Sequence, residues 1–346
     1  MQTSIYRIID ANFNRSREAC RVMEEFARFV LCSKPLAARA KQLRHKISSA
    51  AAQLDSKKML AARESDKDPG AGLEVFGQMK RTGGEDVFAA AAKRLPEALR
   101  VLAETAQTIS PESAGEFEKA RFQAYTLEKD IARALNAREK FENVRLYVLL
   151  DAAEETGFEK MLSAALKGGA DCIQLRAKNQ DAAFVYRLAC ILARRCREAG
   201  AVSIVNDRPD IAVSSGADGV HLGLADVPAE VLRDISTRPM VLGLTTHNIP
   251  ELEDAIKQGA DYVGIGPFAQ TQTKPGLTPS GLTYIKEAVK HLQGSGVYHT
   301  AIGGINAGSI PQLREAGVRC AAVSSAVTKA DNPEKAAKEL KNLLLL

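Results

Sequence analysis

The sequence has 346 residues, 45% of them hydrophobic and 26% charged, which is typical of a globular protein with room for about two domains. The net charge of +5 lies entirely in residues 1–143 and is too small to indicate nucleic-acid binding. No apolar run approaches the ~20 residues of a membrane span, and the N-terminus lacks a signal-peptide pattern. We therefore expect a cytoplasmic protein with neither nucleic-acid nor membrane partners.

The first part of the chain, up to Asn143, has the pattern of an all-α domain, rich in Ala, Glu, Arg and Leu. A first amphipathic helix should stop at Pro35, and the polar, glycine-rich residues 55–84 predict a long loop. Three further helices are expected at Leu36–Leu54, Glu85–Ile109 and Ala114–Phe141.

From Val144 onward, short apolar runs alternate with helical segments. The eight predicted strands are Arg145–Leu150, Cys172–Leu175, Val202–Val205, Gly219–Leu222, Met240–Leu244, Tyr262–Ile265, Val297–Ile302 and Arg319–Val323. Eight strands alternating with helices predict an α/β fold, a parallel (β/α)8 TIM barrel, although a doubly wound open sheet is an alternative. The predicted domains are thus a helical domain, 1–143, and a barrel, 144–346.

Two aspartates directly follow neighbouring strands of this barrel. Asp207 comes after the third strand and Asp226 after the fourth. Because the carboxyl ends of parallel strands meet at one rim, two oxygen ligands for a hard cation would converge there. The alternative is that each aspartate caps the helix that follows it.

The second strand ends in alternating polar residues. The alternation places Gln174, Arg176 and Lys178 on one side of an extended segment, and Asn206 follows the next strand at the same rim. One amide and two cations suit a polar heterocycle that carries a diphosphate.

Further anion-binding groups follow the later strands. The fifth strand ends at Thr245 and is followed by His247, which is an acid–base candidate or part of a helix cap. The loop after the sixth strand contains Thr271, Thr273 and Lys274, hydroxyls and a cation that suit an anion.

The loops after the seventh and eighth strands of such barrels often hold phosphate on backbone N–H groups. Here these loops begin with Gly303-Gly304 and with Val323-Ser324. Two anion sites beside a divalent cation indicate metal-assisted departure of diphosphate, with a second phosphorylated molecule as acceptor.

Residues 144–346 resemble the thiamine-phosphate synthase family over their whole length. The motifs that carry the resemblance are Q-L-R-A-K (174–178), N-D-R-P-D-I-A (206–212), G-V-H-L-G-L-A-D (219–226), G-I-G-P-F-A-Q-T-Q-T-K (264–274), A-I-G-G-I (301–305) and V-S-S-A (323–326). The resemblance implies a transferase of thiamine biosynthesis that joins hydroxymethylpyrimidine diphosphate to a thiazole phosphate, with Mg²⁺ as cofactor.

The resemblance also implies residue roles. The pyrimidine diphosphate would be held by Gln174, Arg176, Lys178, Asn206, Thr245 and Lys274. The thiazole phosphate would be held by Thr271, Thr273, Gly304, Val323 and Ser324. Asp207 and Asp226 would be the metal ligands, and Arg176, Lys178 and Lys274 would be catalytic because they stabilise the leaving diphosphate.

Three positions depart from the family pattern. Ala177 stands where Glu is usual, Leu224 where Gln is usual and Thr245 where Ser is usual. The last change keeps a hydroxyl, whereas the first two remove polar groups near the metal or the pyrimidine, which affects rate and affinity more than reaction type.

The helical domain resembles one that precedes this synthase in some bacteria, through I-I-D-A-N-F-N-R-S-R-E-A-C-R-V-M-E-E-F-A-R-F (8–29) and L-R-H (43–45). Relatives of that domain phosphorylate hydroxymethylpyrimidine phosphate, so the chain would be bifunctional. No Gly-rich loop or Walker-type lysine supports this, and a docking or dimerisation module within a homo-oligomer is the alternative. The polar cluster concerned is Asp10, Asn12, Asn14, Arg15, Arg17, Glu18 and Arg21.

Two other readings of the whole chain stay open. A thiazole tautomerase would use the same barrel but needs neither a diphosphate site nor a metal site. A non-enzymatic sensor of thiamine precursors would bind its ligand without turnover.

Overall fold

The computed structural model describes residues 2–64, 66, 68–70, 73, 81–236, 238–270 and 279–346, apart from the side chain of residue 233. The chain divides into two compact units, 1–132 and 133–346. The division lies within the long helix Pro111–Phe141, so the last turns of that helix belong to the second unit, whereas the boundary expected from the sequence was at 143.

Within the described residues of the first unit, the regular secondary structure is helical. Its helices are α1 (Gln2–Glu25, continued by a π-helical turn at Phe26–Val30), α2 (Lys34–Ala52), α3 (Ser56–Ala61), α4 (Gly84–Ala106) and the larger part of α5 (Pro111–Phe141). The Ser33 side chain caps α2 by accepting the Leu36 N–H. Helix α3 lies inside the stretch predicted to be a loop, because Asp55 accepts the N–H groups of Lys57 and Lys58 and so starts a helix there.

The second unit is a closed barrel of eight parallel strands, in the order of the sequence. The strands are β1 (Leu146–Asp151), β2 (Cys172–Arg176), β3 (Val202–Asn206), β4 (Gly219–Leu222), β5 (Val241–Thr246), β6 (Tyr262–Ile265), β7 (Tyr298–Ile302) and β8 (Ala321–Val323). The predicted (β/α)8 barrel is confirmed, and the open doubly wound sheet is wrong, because β8 pairs with β1.

Helices surround this barrel. They are α6 (Glu155–Lys167), α7 (Ala182–Ala199), α8 (Pro209–Ser215), α9 (Ala229–Ile235), α10 (Ile249–Lys257), α11 (Gly281–His291), α12 (Ile310–Glu315), α13 (Ser325–Thr328) and α14 (Pro333–Leu345). Outward-facing strand residues such as Val148, Ile173 and Val263 pack under them in the main apolar core. Their inward-facing neighbours line the interior, which follows from the two-residue period of a strand.

The amino ends of the strands fill the lower part of the barrel interior. Tyr147, Cys172, Val202 and Tyr262 form one buried cluster there, and Phe141 at the end of α5 packs into the same cluster. The interior is therefore solid at this end, and side chains at the carboxyl ends are left to shape a cavity. None of the helices within the described ranges is long and apolar enough to cross a membrane.

Candidate active site

A cavity of about 420 Å³ opens at the carboxyl ends of the strands. Ten residues singled out from the sequence line it: Gln174, Arg176, Lys178, Asn206, Asp207, Asp226, Thr245, Gly304, Val323 and Ser324. The other three, Thr271, Thr273 and Lys274, lie outside the described residues. The cavity thus collects side chains that are separated by up to 150 residues in sequence, because all of them lie at the carboxyl ends of the strands of one barrel or shortly after them.

The cations from the second strand face carboxylates across the rim. Arg176 is the last residue of β2 and forms an ion pair with Asp151, the last residue of β1. The Lys178 Nζ lies 3.7 Å from Oδ2 of Asp207. Both cations line the cavity together with Gln174, as the strand alternation predicted.

Neither aspartate caps a helix. The residue at the N-cap of α8 is Arg208 and that of α9 is Pro228, so the capping alternative for Asp207 and Asp226 is wrong. Asp207 has left-handed backbone dihedrals, with φ of 63°, and its N–H donates to the His221 carbonyl at 2.9 Å. Such a conformation is uncommon outside glycine, although Asp tolerates it better than most residues, and it often marks functional positions.

Asp226 closes a tight turn after β4. Its Oδ2 accepts the Gly223 N–H at 2.6 Å, and its own N–H donates to the Gly223 carbonyl at 3.2 Å. This turn holds the carboxylate at the cavity wall, where both Gly223 and Asp226 are lining residues.

The donor set of this cavity fits a hard cation. Carboxylate oxygens are ligands that Mg²⁺ accepts, and Mg²⁺ is often bound through one or two carboxylates with substrate phosphates completing the shell. Within the described residues, no group of three or more His, Cys, Asp or Glu side chains is arranged to hold a metal. The cavity therefore fits a metal shared with a phosphorylated substrate and does not fit an all-protein metal cage.

The cavity floor contains a chain of hydrogen bonds that the sequence did not reveal. Gln174 and Thr245 are its two ends, and Tyr147, Tyr262 and His221 lie between them. The signal that could have found the three middle residues is their inward phase on β1, β6 and β4. Polar side chains at inward barrel positions need buried partners.

A glycine makes room for this chain. A Cβ at Gly243 would collide with the ring and hydroxyl of Tyr262 on the neighbouring strand. Only glycine at this inward position of β5 lets the Tyr262 hydroxyl reach the barrel axis.

The glycine pair after β7, Gly303-Gly304, lets the loop that follows β6 pack closely against it. The Phe268 N–H donates to Ile302 and the Ala269 N–H to Gly303, at 2.8 and 3.0 Å. A Cβ at Gly304 would lie 3.0 Å from the Ala269 Cβ. The group that approaches this glycine pair closely is therefore the backbone of the loop after β6. Gly304 nevertheless lines the cavity.

His247 lines the cavity and pairs with Glu251. Its Nδ1 lies 2.9 Å from the Glu251 Oε2, which also accepts the His247 N–H at 2.8 Å. Asn248 is the N-cap residue of α10. His247 thus fixes the start of α10 through Glu251, from one residue before the cap.

The two apolar departures from the family pattern occupy different surroundings. Leu224 lines the cavity with its side chain 65% exposed. Ala177 is half-buried and packs against the apolar core outside the barrel.

The polar residues of α1 are engaged in local contacts of the first unit. Asp10 accepts two hydrogen bonds from Arg63, at 2.7 and 2.8 Å. Glu18 pairs with Arg94 of α4 at 3.4 Å, and Arg21 pairs with Glu25 on its own helix. In the same unit, Arg44 pairs with the buried Glu24 at 3.0 Å.

Comparison with known proteins extends over both units. The family model described as thiamine monophosphate synthase matches residues 146–327, and the ThiD2 family model matches residues 7–130. A thiamine phosphate pyrophosphorylase from Pyrococcus furiosus superposes with a TM-score of 0.53 and 33% identity, covering 60% of this chain and 97% of that one.

Two further relatives extend this similarity to nearly the whole chain. The thiamine-phosphate synthase of Thermosynechococcus vestitus is 37% identical over 96% of this chain and 93% of its own length. The thiamine-phosphate synthase of a Synechocystis species is 35% identical over 98% of this chain and 96% of its own length. With the helical unit and the barrel matched in one alignment, this chain belongs to the thiamine-phosphate synthase family, in its long form.

Proposed function

We propose that the barrel condenses hydroxymethylpyrimidine diphosphate with a thiazole phosphate, carboxylated or not, to give thiamine phosphate and diphosphate. The observation that carries this proposal is the cavity, which is lined by two cations and two carboxylates at one side and by residues of the β7 and β8 loops at the other. Two phosphorylated small molecules and a divalent cation have complementary charges for such a lining.

The catalytic contribution of the side chains is electrostatic. Arg176 and Lys178 would bind the diphosphate and stabilise the negative charge that grows on it as its bond to the pyrimidine methylene carbon breaks, with Lys274 as a third cation. Asp207 and Asp226 would hold Mg²⁺, which when bound neutralises part of that charge. No nucleophilic side chain is needed, because the thiazole nitrogen is the attacking group.

The remaining residues would position the two substrates. Gln174, Asn206 and Thr245 would orient the pyrimidine ring. The thiazole phosphate would lie at the opposite side, on Thr271, Thr273, Gly304, Val323 and Ser324. Holding both rings in one small cavity raises their effective concentration for the bond-forming step.

The experiment is diphosphate release and thiamine phosphate formation by the full-length protein with both substrates and Mg²⁺. The double variant Asp207→Ala, Asp226→Ala should lose at least about a hundredfold in kcat/KM, and chelation of the metal should abolish the wild-type activity. Asp210→Ala is the matched control, since Asp210 is a nearby exposed carboxylate that pairs with Arg208 and does not line the cavity. Unchanged activity in the double variant would refute the metal assignment.

The two other readings of the barrel make different demands. A tautomerase has no use for two cations beside two carboxylates, and a sensor would bind the substrates without releasing diphosphate. The assay above separates all three. The cytoplasmic location and a homo-oligomeric state stay predictions.

For the first unit, the match to the ThiD2 family over residues 7–130 favours a second activity, the phosphorylation of hydroxymethylpyrimidine phosphate. The test is formation of the diphosphate by the full-length protein with ATP. The barrel variant Asp207→Ala, Asp226→Ala should retain this activity. If the full-length protein with ATP forms no hydroxymethylpyrimidine diphosphate, a docking or dimerisation role of the first unit is favoured instead.

A further inference from the structure

The floor of the cavity is spanned by one continuous chain of hydrogen bonds. The Gln174 Nε2 lies 2.8 Å from the Tyr147 hydroxyl, which lies 2.9 Å from the Tyr262 hydroxyl. The Tyr262 hydroxyl is 3.0 Å from Nδ1 of His221, and His221 Nε2 is 2.9 Å from the Thr245 hydroxyl. Five strands contribute one member each, so the chain crosses the barrel interior.

The middle members of the chain, Tyr147, Tyr262 and His221, are buried. Tyr147 and Tyr262 are 1% and 0% exposed, and His221 is buried as well. A buried hydroxyl without a partner for its hydrogen is unfavourable, because it loses its hydrogen bond to water and gains none in return. Each tyrosine has one hydrogen to give, so the chain must run in a single direction for both hydrogens to be used.

The Gln174 amide sets that direction. With Nε2 donating to Tyr147, Tyr147 donates to Tyr262 and Tyr262 donates to His221 Nδ1. His221 then carries its hydrogen on Nε2 and donates it to Thr245. Two results follow at the cavity: Gln174 keeps its amide oxygen as an acceptor, beside the second hydrogen of its NH2 group, and Thr245 keeps its hydrogen as a donor.

We propose that Tyr147, Tyr262 and His221 are positioning residues that lock the hydrogen-bond polarity of Gln174 and Thr245, and thereby select a pyrimidine with an amino group. This inference rests on the proposed function and adds the means by which the ring is chosen. An aminopyrimidine offers N–H donors and ring-nitrogen acceptors side by side, the complement of one acceptor and one donor. A ring with an oxo group at the amino position reverses that pattern.

Reversing the polarity to accept such a ring would require five groups to change together. Gln174 would have to flip its amide, His221 would have to change tautomer, and the hydroxyls of both tyrosines and of Thr245 would have to rotate. Packing holds the middle of the chain, since Phe141 stacks on Tyr262 with ring centroids 4.4 Å apart. Burial raises the pKa of Tyr147 and of Tyr262 well above the ordinary value, so both hydroxyls keep their hydrogens at working pH.

The test is Tyr262→Phe, which removes the central hydroxyl and keeps the stacked ring. Affinities for the amino pyrimidine diphosphate and its oxo analogue are measured by calorimetry, and KM values for both substrates by turnover. We expect the preference for the amino ring to fall about tenfold, because Gln174 and Thr245 then reorient independently. The KM for the thiazole phosphate should stay unchanged.

Tyr284→Phe is the matched control. Its buried hydroxyl donates to Thr246 at 2.7 Å, on the other face of β5, so its loss removes a similar hydrogen bond without cutting the chain. Tyr147→Phe is a second variant, in case Tyr262→Phe fails to fold, and should lower the preference through the Gln174 end alone. The proposal is overturned if a folded variant fully keeps the preference for the amino ring. It is also overturned if the variant loses affinity for the amino ring and for the oxo ring by the same factor.

Calorimetry also separates this inference from the proposed function. A wild-type protein that prefers the amino ring but forms no thiamine phosphate would contradict the proposed reaction, while the variants would still decide the role of the chain. A wild-type protein that binds both rings equally would overturn the selection by polarity whatever its turnover.

Discussion

The ring of Phe141 stacks on the ring of Tyr262, with centroids 4.4 Å apart and planes inclined by 19°. Phe141 ends α5 and Tyr262 begins β6, so the stack closes the amino end of the barrel below the cavity floor. The last turns of α5 are therefore part of the packing of the barrel.

We expect Phe141→Ala to lower the free energy of unfolding of the barrel by about 3 kcal/mol, because it removes a buried ring and leaves a cavity under Tyr262. Urea unfolding followed by circular dichroism measures the change. Phe122→Ala is the control on the same helix, because its ring is largely exposed, and it should shift stability by about 0.5 kcal/mol or less. Equal effects of the two changes would contradict the structural role of the stack.

Gly243→Ala should destabilise the barrel by about 1–3 kcal/mol and weaken pyrimidine binding. The added Cβ would collide with the Tyr262 ring, which would have to leave its position between Tyr147 and His221. Thermal unfolding and substrate affinity measure the two effects. Gly115→Ala, where a Cβ meets nothing within 4 Å on α5, should instead stabilise by about 0.5–1 kcal/mol.

Leu224→Gln should raise kcat/KM, by up to about tenfold, with little change in stability. Leu224 is an exposed apolar side chain at the cavity rim close to Asp226, where an amide would support the metal or the diphosphate by hydrogen bonding. Steady-state kinetics at several Mg²⁺ concentrations measure the gain. Val227→Gln is the control, since Val227 is exposed nearby but does not line the cavity. A loss of activity in Leu224→Gln would show that the apolar side chain itself contributes.

Stability should fall as the pH is lowered from about 6.5 towards 4, in part through His299. Burial, with the positive charge of Arg319, lowers the pKa of His299 from its ordinary value of 6.5 to about 4. The unfolded chain therefore takes up this proton first, so the stability present above pH 6.5 is lost across that window. The Arg319 N–H donates to His299 Nε2 at 3.3 Å, a contact that protonation removes.

In His299→Gln, the loss of unfolding free energy between about pH 6.5 and 4 should be smaller by on the order of 2 kcal/mol. This is less than the full pKa shift of His299 corresponds to, because the ring is only partly buried. Urea unfolding between pH 4 and 7 measures the slope. The exposed His45 provides the control, and His45→Gln shows how far a His-to-Gln substitution at the surface changes the profile. The same slope in both variants would exclude His299 as its source.

Local patterns determined the architecture of the second unit. The change from a helical period to short alternating runs after residue 143 predicted eight strands, and all eight are present with ends shifted by at most two residues. The alternation at Gln174, Arg176 and Lys178 placed all three on one side, because a strand turns successive side chains to opposite faces whatever its neighbours are.

The tertiary structure decided which of these residues meet and what each one does there. Tyr147 and Tyr262 lie 115 residues apart, and only closure of the barrel brings their hydroxyls within 2.9 Å. Asp207 could have capped a helix until its left-handed backbone and the position of Arg208 excluded it. A sequence fixes the face of a strand through local geometry, whereas strand register, barrel closure and side-chain partners depend on contacts between segments far apart in the chain.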